Sequence, residues 1–299
     1  MGWKVIHQSI SFGISENAAL LRRFWLFYMM KFHLITDHSP EDVRIFANLR
    51  NYEADTHFIA ESEKVVSRLL RSHIEIISMY LTEDQFHSIK ELISSHRQES
   101  ECNVFIGSRE EMEKIVGFSL HQRILAAAKI PIEKDLEQLL ADAKKPLLFV
   151  ILDEVADAEN MGAIFRTSFA MNTTAVIVDK KSVSPWMRRS VRVSMGAVFE
   201  LPVVTVGSIP DCIELLRGKN IPVFATTLNE SAGQIWNCDL SKDCAIVFGS
   251  EGHGIKKEII NACESEVTIP MRDNFHSLNV GTAHGIFLYE VIRQRSLAN

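Results

Sequence analysis

An α/β fold built as two consecutive units is the class the sequence predicts, and three observations lead there. Short apolar runs alternate with stretches of helical periodicity from Lys31 to the C-terminus. Helix starts are marked by Ser39-Pro40-Glu41-Asp42, Thr82-Glu83-Asp84-Gln85 and Ser108-Arg109-Glu110-Glu111, which combine capping residues with first-turn acids. The chain has 299 residues, 46% hydrophobic and 23% charged, which suffices for two buried cores and argues against a disordered or membrane class.

Taken in order, residues 1–30 form an N-terminal extension. Ala18 to Met30 is apolar but broken by Arg22 and Arg23, is too short to span a bilayer and lacks a cleavage site. It is expected to add little to the fold, with Met29 or Met30 as an alternative start. Residues 31–130 predict a small α/β/α unit, with strands at His57 to Ala60, Ile74 to Leu81, Asn103 to Ile106 and Ile124 to Ala128, and an amphipathic helix from Glu61 to Arg71. Residues 131–145 are charged and follow a proline, and predict a linker. From Pro146 to Asn299 a second alternating series begins. Its strands are expected at Leu147 to Leu152, Ala175 to Val178, Ala197 to Leu201, Pro222 to Thr226, Cys244 to Phe248 and Val267 to Pro270. Helices are expected at Asn160 to Met171, from Pro185, at Pro210 to Arg217, at Lys256 to Ala262 and from Ser277. Such alternation predicts a mostly parallel sheet with helices on both faces.

Polar residues gather where the last strand gives way to the last helix. Free backbone groups at such a junction, beside Ser277 and Asn279, suit a polar small molecule. A second candidate is Phe248-Gly249-Ser250-Glu251-Gly252-His253-Gly254, where three glycines let the backbone approach a ligand. Its spacing is not that of a dinucleotide fingerprint, which disfavours a nicotinamide-dependent oxidoreductase. Asn160 and Arg166, at the start of the first helix of this unit, could grip a phosphate or a ribose. The net charge of -6 excludes a global basic footprint, so a nucleic acid would need a local patch. Lys180, Lys181, Arg188, Arg189 and Arg192 form such a run without an acid among them. Five widely spaced cysteines with no C-x-x-C pair point to reduced thiols in a cytosol-like compartment, and the histidines make no convincing metal set.

Three stretches, AENMGAIFRTSFAMN (158–172), FGSEGHGI (248–255) and IPMRDNFHSLNVGTAHGIFLYE (269–290), resemble in order and spacing the signature motifs of the SpoU, or TrmH, family of RNA ribose methyltransferases. RVSMGAVFELPV (192–203) is similar to a further family segment. The resemblance implies a trefoil-knotted catalytic domain over 146–299, a homodimer formed through it, and a ribosomal-protein-like RNA-binding domain over 31–130. It implies S-adenosylmethionine as cofactor, held around Thr226, Thr227, Leu228, Gly249, Gly252, Ile269, Met271 and Leu278. Methyl transfer to a ribose 2'-hydroxyl, in rRNA rather than tRNA, would rest on Arg166, Asn160, Glu251, Ser277 and Asn279. RNA would be met by the basic run and by Glu63, Lys64, Arg68, His121 and Arg123. Asp273, His276 and His284 depart from the family pattern in the cofactor loop and the helix after it, which bears on substrate identity and cofactor affinity, and His253, His276 and His284 are expected to face solvent or pack in a loop. A non-catalytic RNA-binding or assembly protein on the same fold is the alternative.

Overall fold

The computed structural model describes residues 32–298 except 48, 50–55, 97, 99, 121, 230 and 273–276. The extension 1–30, His121, Asp273 and His276 therefore lie outside the described residues. Two sheets organise the rest. The first has five strands, β1 (Phe32–Ile35), β2 (His57–Glu61), β3 (Ile76–Leu81), β4 (Cys102–Ile106) and β5 (Ile124–Lys129), in the order β1-β4-β3-β5-β2. β4 runs parallel to β1 and β3, and β5 is antiparallel to β3 and β2. Helices α1 (Glu63–Arg71) and α2 (Glu83–Ser95) bury Val65, Val66, Leu69, Ile89 and Ile93 against Met79 and Leu81. Tyr80, between those two strand residues, faces the other way, toward Met112 and Val116 of α3 (Arg109–Val116).

The second sheet has seven strands in the order β10-β12-β9-β11-β6-β7-β8, and all its paired strands run parallel. They are β6 (Leu148–Asp153), β7 (Ala175–Asp179), β8 (Val203–Val206), β9 (Val223–Thr226), β10 (Gly233–Gln234), β11 (Cys244–Gly249) and β12 (Ser265–Thr268). Every residue of β6 is buried, as a strand covered on both faces requires. Leu148, Val150 and Leu152 face α5 (Ala158–Ala170), α6 (Arg188–Val193) and α9 (Val280–Ala298). Phe149 and Ile151 face α4 (Leu136–Asp142), α7 (Ile209–Gly218) and α8 (Lys257–Ala262).

Several boundaries differ from expectation, each for a local reason. Ala197 to Leu201 is not a strand but a 3-10 turn over Ala197–Phe199, closed by Phe199 N donating to Gly196 O and Leu201 N to Ala197 O. Five apolar residues read alike in either form. Glu61 ends β2 instead of opening α1, because Ser62 caps that helix through Val65 N. Thr82 stands at the start of α2, but its hydroxyl goes to Asp84 and makes no cap bond, whereas the Ser108 capping box is complete. After Ser39 the expected helix is replaced, among the described residues, by a 3-10 turn at Arg44–Phe46. Residues 131–145 contain α4, whose Leu136 and Leu139 are part of the second sheet's core. The last helix opens at Val280, three residues after Ser277, because Asn279 Oδ1 accepts from Gly281 N and Thr282 N at 2.9 and 3.3 Å.

The two sheets share a seam. Phe58 of β2 packs on Trp186 and Phe199, ring centroids 5.0 and 5.4 Å away. Above them the buried carboxylate of Glu61 accepts from Arg188 and Arg192 of α6. Arg68 of α1 completes the seam by donating to Met195 O at 3.1 Å.

Candidate active site

Strands β12, β9 and β11 are neighbours in the sheet, and the loops leaving their C-terminal ends enclose a cleft of about 620 Å³. After β11 the chain folds back sharply. Gly254 N donates to Ser250 O at 2.9 Å, His253 N donates to Ser250 Oγ at 3.2 Å, and Gly254 has φ 66°. This turn brings the Gly254 backbone so close that a Cβ on Gly249 would stand 2.3 Å from its carbonyl carbon. Gly249 is therefore required by a close approach of two backbone segments. Thr226 and Thr227, after β9, are tied in by Thr226 Oγ1 donating to Val247 O and Thr227 N to Val267 O. Phe248, Ile260, Ala283 and Phe287 supply apolar wall.

All eight residues expected around the cofactor, Thr226, Thr227, Leu228, Gly249, Gly252, Ile269, Met271 and Leu278, line this one cleft. Glu251, Ser277 and Asn279 line it too. Asn160 joins them through side-chain bonds: its Nδ2 donates to Glu251 Oε1 at 2.8 Å, and Asn279 Nδ2 donates to Asn160 Oδ1 at 2.9 Å and Glu251 Oε1 at 2.8 Å. Three segments far apart in sequence thus meet in one polar trio. Asp157, which the sequence reading passed over, aims the first of them. Its carboxylate accepts from Glu159 N and Asn160 N and caps α5, a signal legible in an aspartate placed before a helix.

A second cleft of about 530 Å³ lies beyond the same wall, sharing Ser250, Glu251, Gly252 and His253 and adding Asn160, Glu154 and Lys181. Asp153, Glu154 and Asp179 come within 4.8 Å of one another beside it; ammonium groups meet the charge of the first two, and Asp179 accepts from Glu154 N, Ser182 N and Ser182 Oγ. Lys256 reaches Asp153 and Glu154 at 3.2 and 2.8 Å, and Lys181 reaches Glu154 at 2.8 Å. The hydrogen bonds from Lys181 and Lys256 hold the Glu154 carboxyl at about 2.

Arg166 is not in either cleft. It is exposed on α5 and makes no hydrogen bond or ion pair with any described residue. The other basic residues are mostly engaged. Arg188 and Arg192 hold Glu61, Arg189 pairs with Glu159, Arg123 with Asp84, and Arg68 with Glu200. Lys64 and Lys180 are exposed without an ion-pair partner among the described residues. The run from Lys180 to Arg192 holds no acid in sequence, but the fold supplies acids from β2, α5 and the loop after β6.

His284 is neither solvent-facing nor in a loop. It is fully buried against Phe248, its Nε2 lies 2.9 Å from Ser168 Oγ, and its Nδ1 has no hydrogen-bond partner among the described residues. Burial pushes its pKa down to about 3. Above pH 6.5 the ring is neutral in folded and unfolded chains alike, and stability is whole. As pH falls from 6.5 toward 3, the unfolded chain takes up a proton that the folded one refuses, and stability drops by about 1.4 kcal/mol per pH unit. Denaturant titrations at pH 7, 6 and 5 are expected to show this slope, and His284→Gln to show a shallower one, since the carboxyls that also lose stability in acid act mainly below that range.

The geometry defines a parallel-sheet α/β protein with a ligand cleft at its strand ends and a three-segment polar cluster on the cleft wall. A model of the SpoU rRNA Methylase family matches residues 147–289. The chain is 35% identical to the 23S rRNA (guanosine-2'-O-)-methyltransferase RlmB of Acinetobacter baylyi over 63% of its own length and 77% of the relative's. It is 31% identical to the RlmB of Pseudomonas putida over 78% of its own length and 94% of the relative's. The chain belongs to the SpoU rRNA methylase family. Among solved structures, the SpoU methyltransferase AviRb from Streptomyces viridochromogenes superposes with a TM-score of 0.72 at 20% identity, over 87% of this chain and 99% of that one. AviRb has also been solved in complex with the cofactor AdoMet, with the same TM-score of 0.72. These likenesses establish the fold.

Proposed function

We propose that this protein transfers the methyl group of S-adenosylmethionine to the ribose 2'-hydroxyl of a guanosine in 23S rRNA. The observation that carries the reading is the trio Asn160, Glu251 and Asn279, bonded across the wall of the glycine-turn cleft. The cleft suits the cofactor: the backbone at Gly249, Ile269 and Leu278 is at hand for an adenine edge, and apolar wall is present for its thioether carbons. When bound there, the cofactor supplies an electrophilic methyl on a sulfonium. The chain's own part is to place the ribose oxygen in line behind that methyl and to ease loss of its proton. Glu251 is positioned by two amide donors, and with Asn160 and Asn279 would orient the sugar hydroxyls. Arg166, outside both clefts of its own chain, would stabilise the charge that develops on the oxygen in the site of a second copy, since α5 carries it to the proposed dimer face. RlmB relatives carry the name guanosine-2'-O-methyltransferase, which is the basis for choosing rRNA over tRNA.

Over residues 146–299 the C-terminal segment is read as threading the family knot, residues 31–130 as the RNA-holding domain and residues 131–145 as its tether, in a cytoplasmic protein. Of the cations singled out in the sequence, Lys64, Lys180 and Arg166 have no ion-pair partner among the described residues and would be open for phosphate. The protein would act as a homodimer through α5 and α9, because Ile286, Tyr289 and Leu297 leave an apolar stripe exposed along α9. Tyr289→Glu is expected to shift the protein to monomer in light scattering and to lower methyl transfer about ten-fold or more, since a buried unpaired charge opposes association.

The test is methyl transfer from labelled S-adenosylmethionine to unmodified 23S rRNA transcripts, with 2'-O-methyl positions mapped afterwards. A single labelled guanosine is expected. Label on tRNA alone would move the substrate, and RNA binding without transfer would favour the assembly-protein alternative.

A further inference from the structure

Glu154 stands on the rim of the second cleft, on the far side of the Asn160–Glu251 pair from the cofactor cleft. Its backbone has φ 53°, a left-handed conformation unusual for glutamate, and its amide is held by Asp179 Oδ1 at 3.1 Å. The ammonium groups of Lys181 and Lys256 both approach Oε1, each at 2.8 Å. Oε2 accepts no hydrogen bond among the described residues. The chain thus fixes a carboxylate in an unusual backbone pose with one oxygen committed and the other open toward a cavity of about 530 Å³.

That cavity is the size of a nucleoside site rather than of an ion or a water cluster. Its wall includes Asn160 and Glu251, two of the three residues that would hold a ribose, and its rim offers an acceptor, Glu154, next to a donor, Lys181. A guanine edge carries the complement, O6 as acceptor adjoining N1–H as donor. Adenine in the same pose would set its N6 amine against the ammonium and its N1 lone pair against the carboxylate, and both contacts repel. We propose that this second cleft seats the base of the target nucleotide, and that Glu154 with Lys181 reads it as guanine rather than adenine. The inference rests on the ribose-methylation reading and assigns that reaction a specificity residue. Glu154 remains ionised throughout the neutral range because both lysines stabilise its charge.

The probes are 5'-GMP and 5'-AMP, titrated by NMR onto full-length protein saturated with S-adenosylhomocysteine. Wild type is expected to bind GMP about ten-fold or more tightly than AMP, the discrimination one well-placed polar pair supplies. Glu154→Gly suits φ 53° and keeps the fold, so loss of preference in it cannot be ascribed to unfolding. In Glu154→Gly and Glu154→Gln the preference is expected to fall to near unity, while S-adenosylhomocysteine affinity is unchanged. Equal binding of GMP and AMP by wild type, no binding of either, or full preference retained in both variants overturns the inference. rRNA transfer assayed on the same preparations separates the two levels. Transfer without base preference removes only the role of Glu154, whereas absence of both transfer and S-adenosylhomocysteine binding removes the reading beneath it.

Discussion

Gly249→Ala is expected to abolish measurable S-adenosylmethionine binding, raising Kd by about a hundred-fold or more. The added Cβ would sit 2.3 Å from Gly254 C and 2.5 Å from Ile255 N, both of them backbone atoms with no rotamer to yield. Relief requires the turn at 250–254 to move outward, and that turn carries Glu251 and one wall of the cleft. Small-to-large overpacking of this kind costs about 1–3 kcal/mol, so thermal stability should fall by a few degrees while the fold survives. Calorimetric titration with the cofactor, alongside a melting curve, separates the two effects. Gly207→Ala is the control: nothing lies within 4 Å of a Cβ at that position, which lines neither cleft, and both measurements should change little.

Arg166→Ala is expected to lower kcat by about a hundred- to a thousand-fold with no change in melting temperature, as loss of a charge-stabilising group at a transition state would. The side chain is exposed and makes no bond to any described residue, so the folded chain loses no contact. Cofactor affinity should also be unchanged, because Arg166 does not line the cleft. Arg166→Lys, which keeps the charge but not the planar fork, should recover part of the rate. Wild-type turnover in Arg166→Ala would assign this arginine to the surface.

How far the chain was legible follows from the kind of signal at each place. β6 and α5 were placed within two residues of their ends because the apolar run is short and bounded by Pro146 and Asp153, and Met161, Ile164, Phe165 and Phe169 recur at helical spacing. The cofactor loops were legible as motifs, and the fold brought 226, 249, 269 and 278 to one cleft through the adjacency of β9, β11 and β12. Local patterns do not carry strand order, so the residues themselves could not announce that adjacency. Arg188 and Arg192 illustrate the same limit. Their charge was plain, but their acceptor, Glu61, stands 127 residues before Arg188 on the edge strand of the other sheet. His284 was misjudged because a histidine in an otherwise mixed helix reads as polar, and only the packing of α9 on Phe248 and Ser168 reveals it as core.

The carboxylate of Glu61, gripped by two guanidinium groups beside the packed rings of Phe58, Trp186 and Phe199, fastens the edge of the first sheet to the second. An RNA stem held on the first sheet, as proposed, would then meet the Asn160 end of α5 at a height set by this seam, and selection among nucleotides would begin with reach before any base is read.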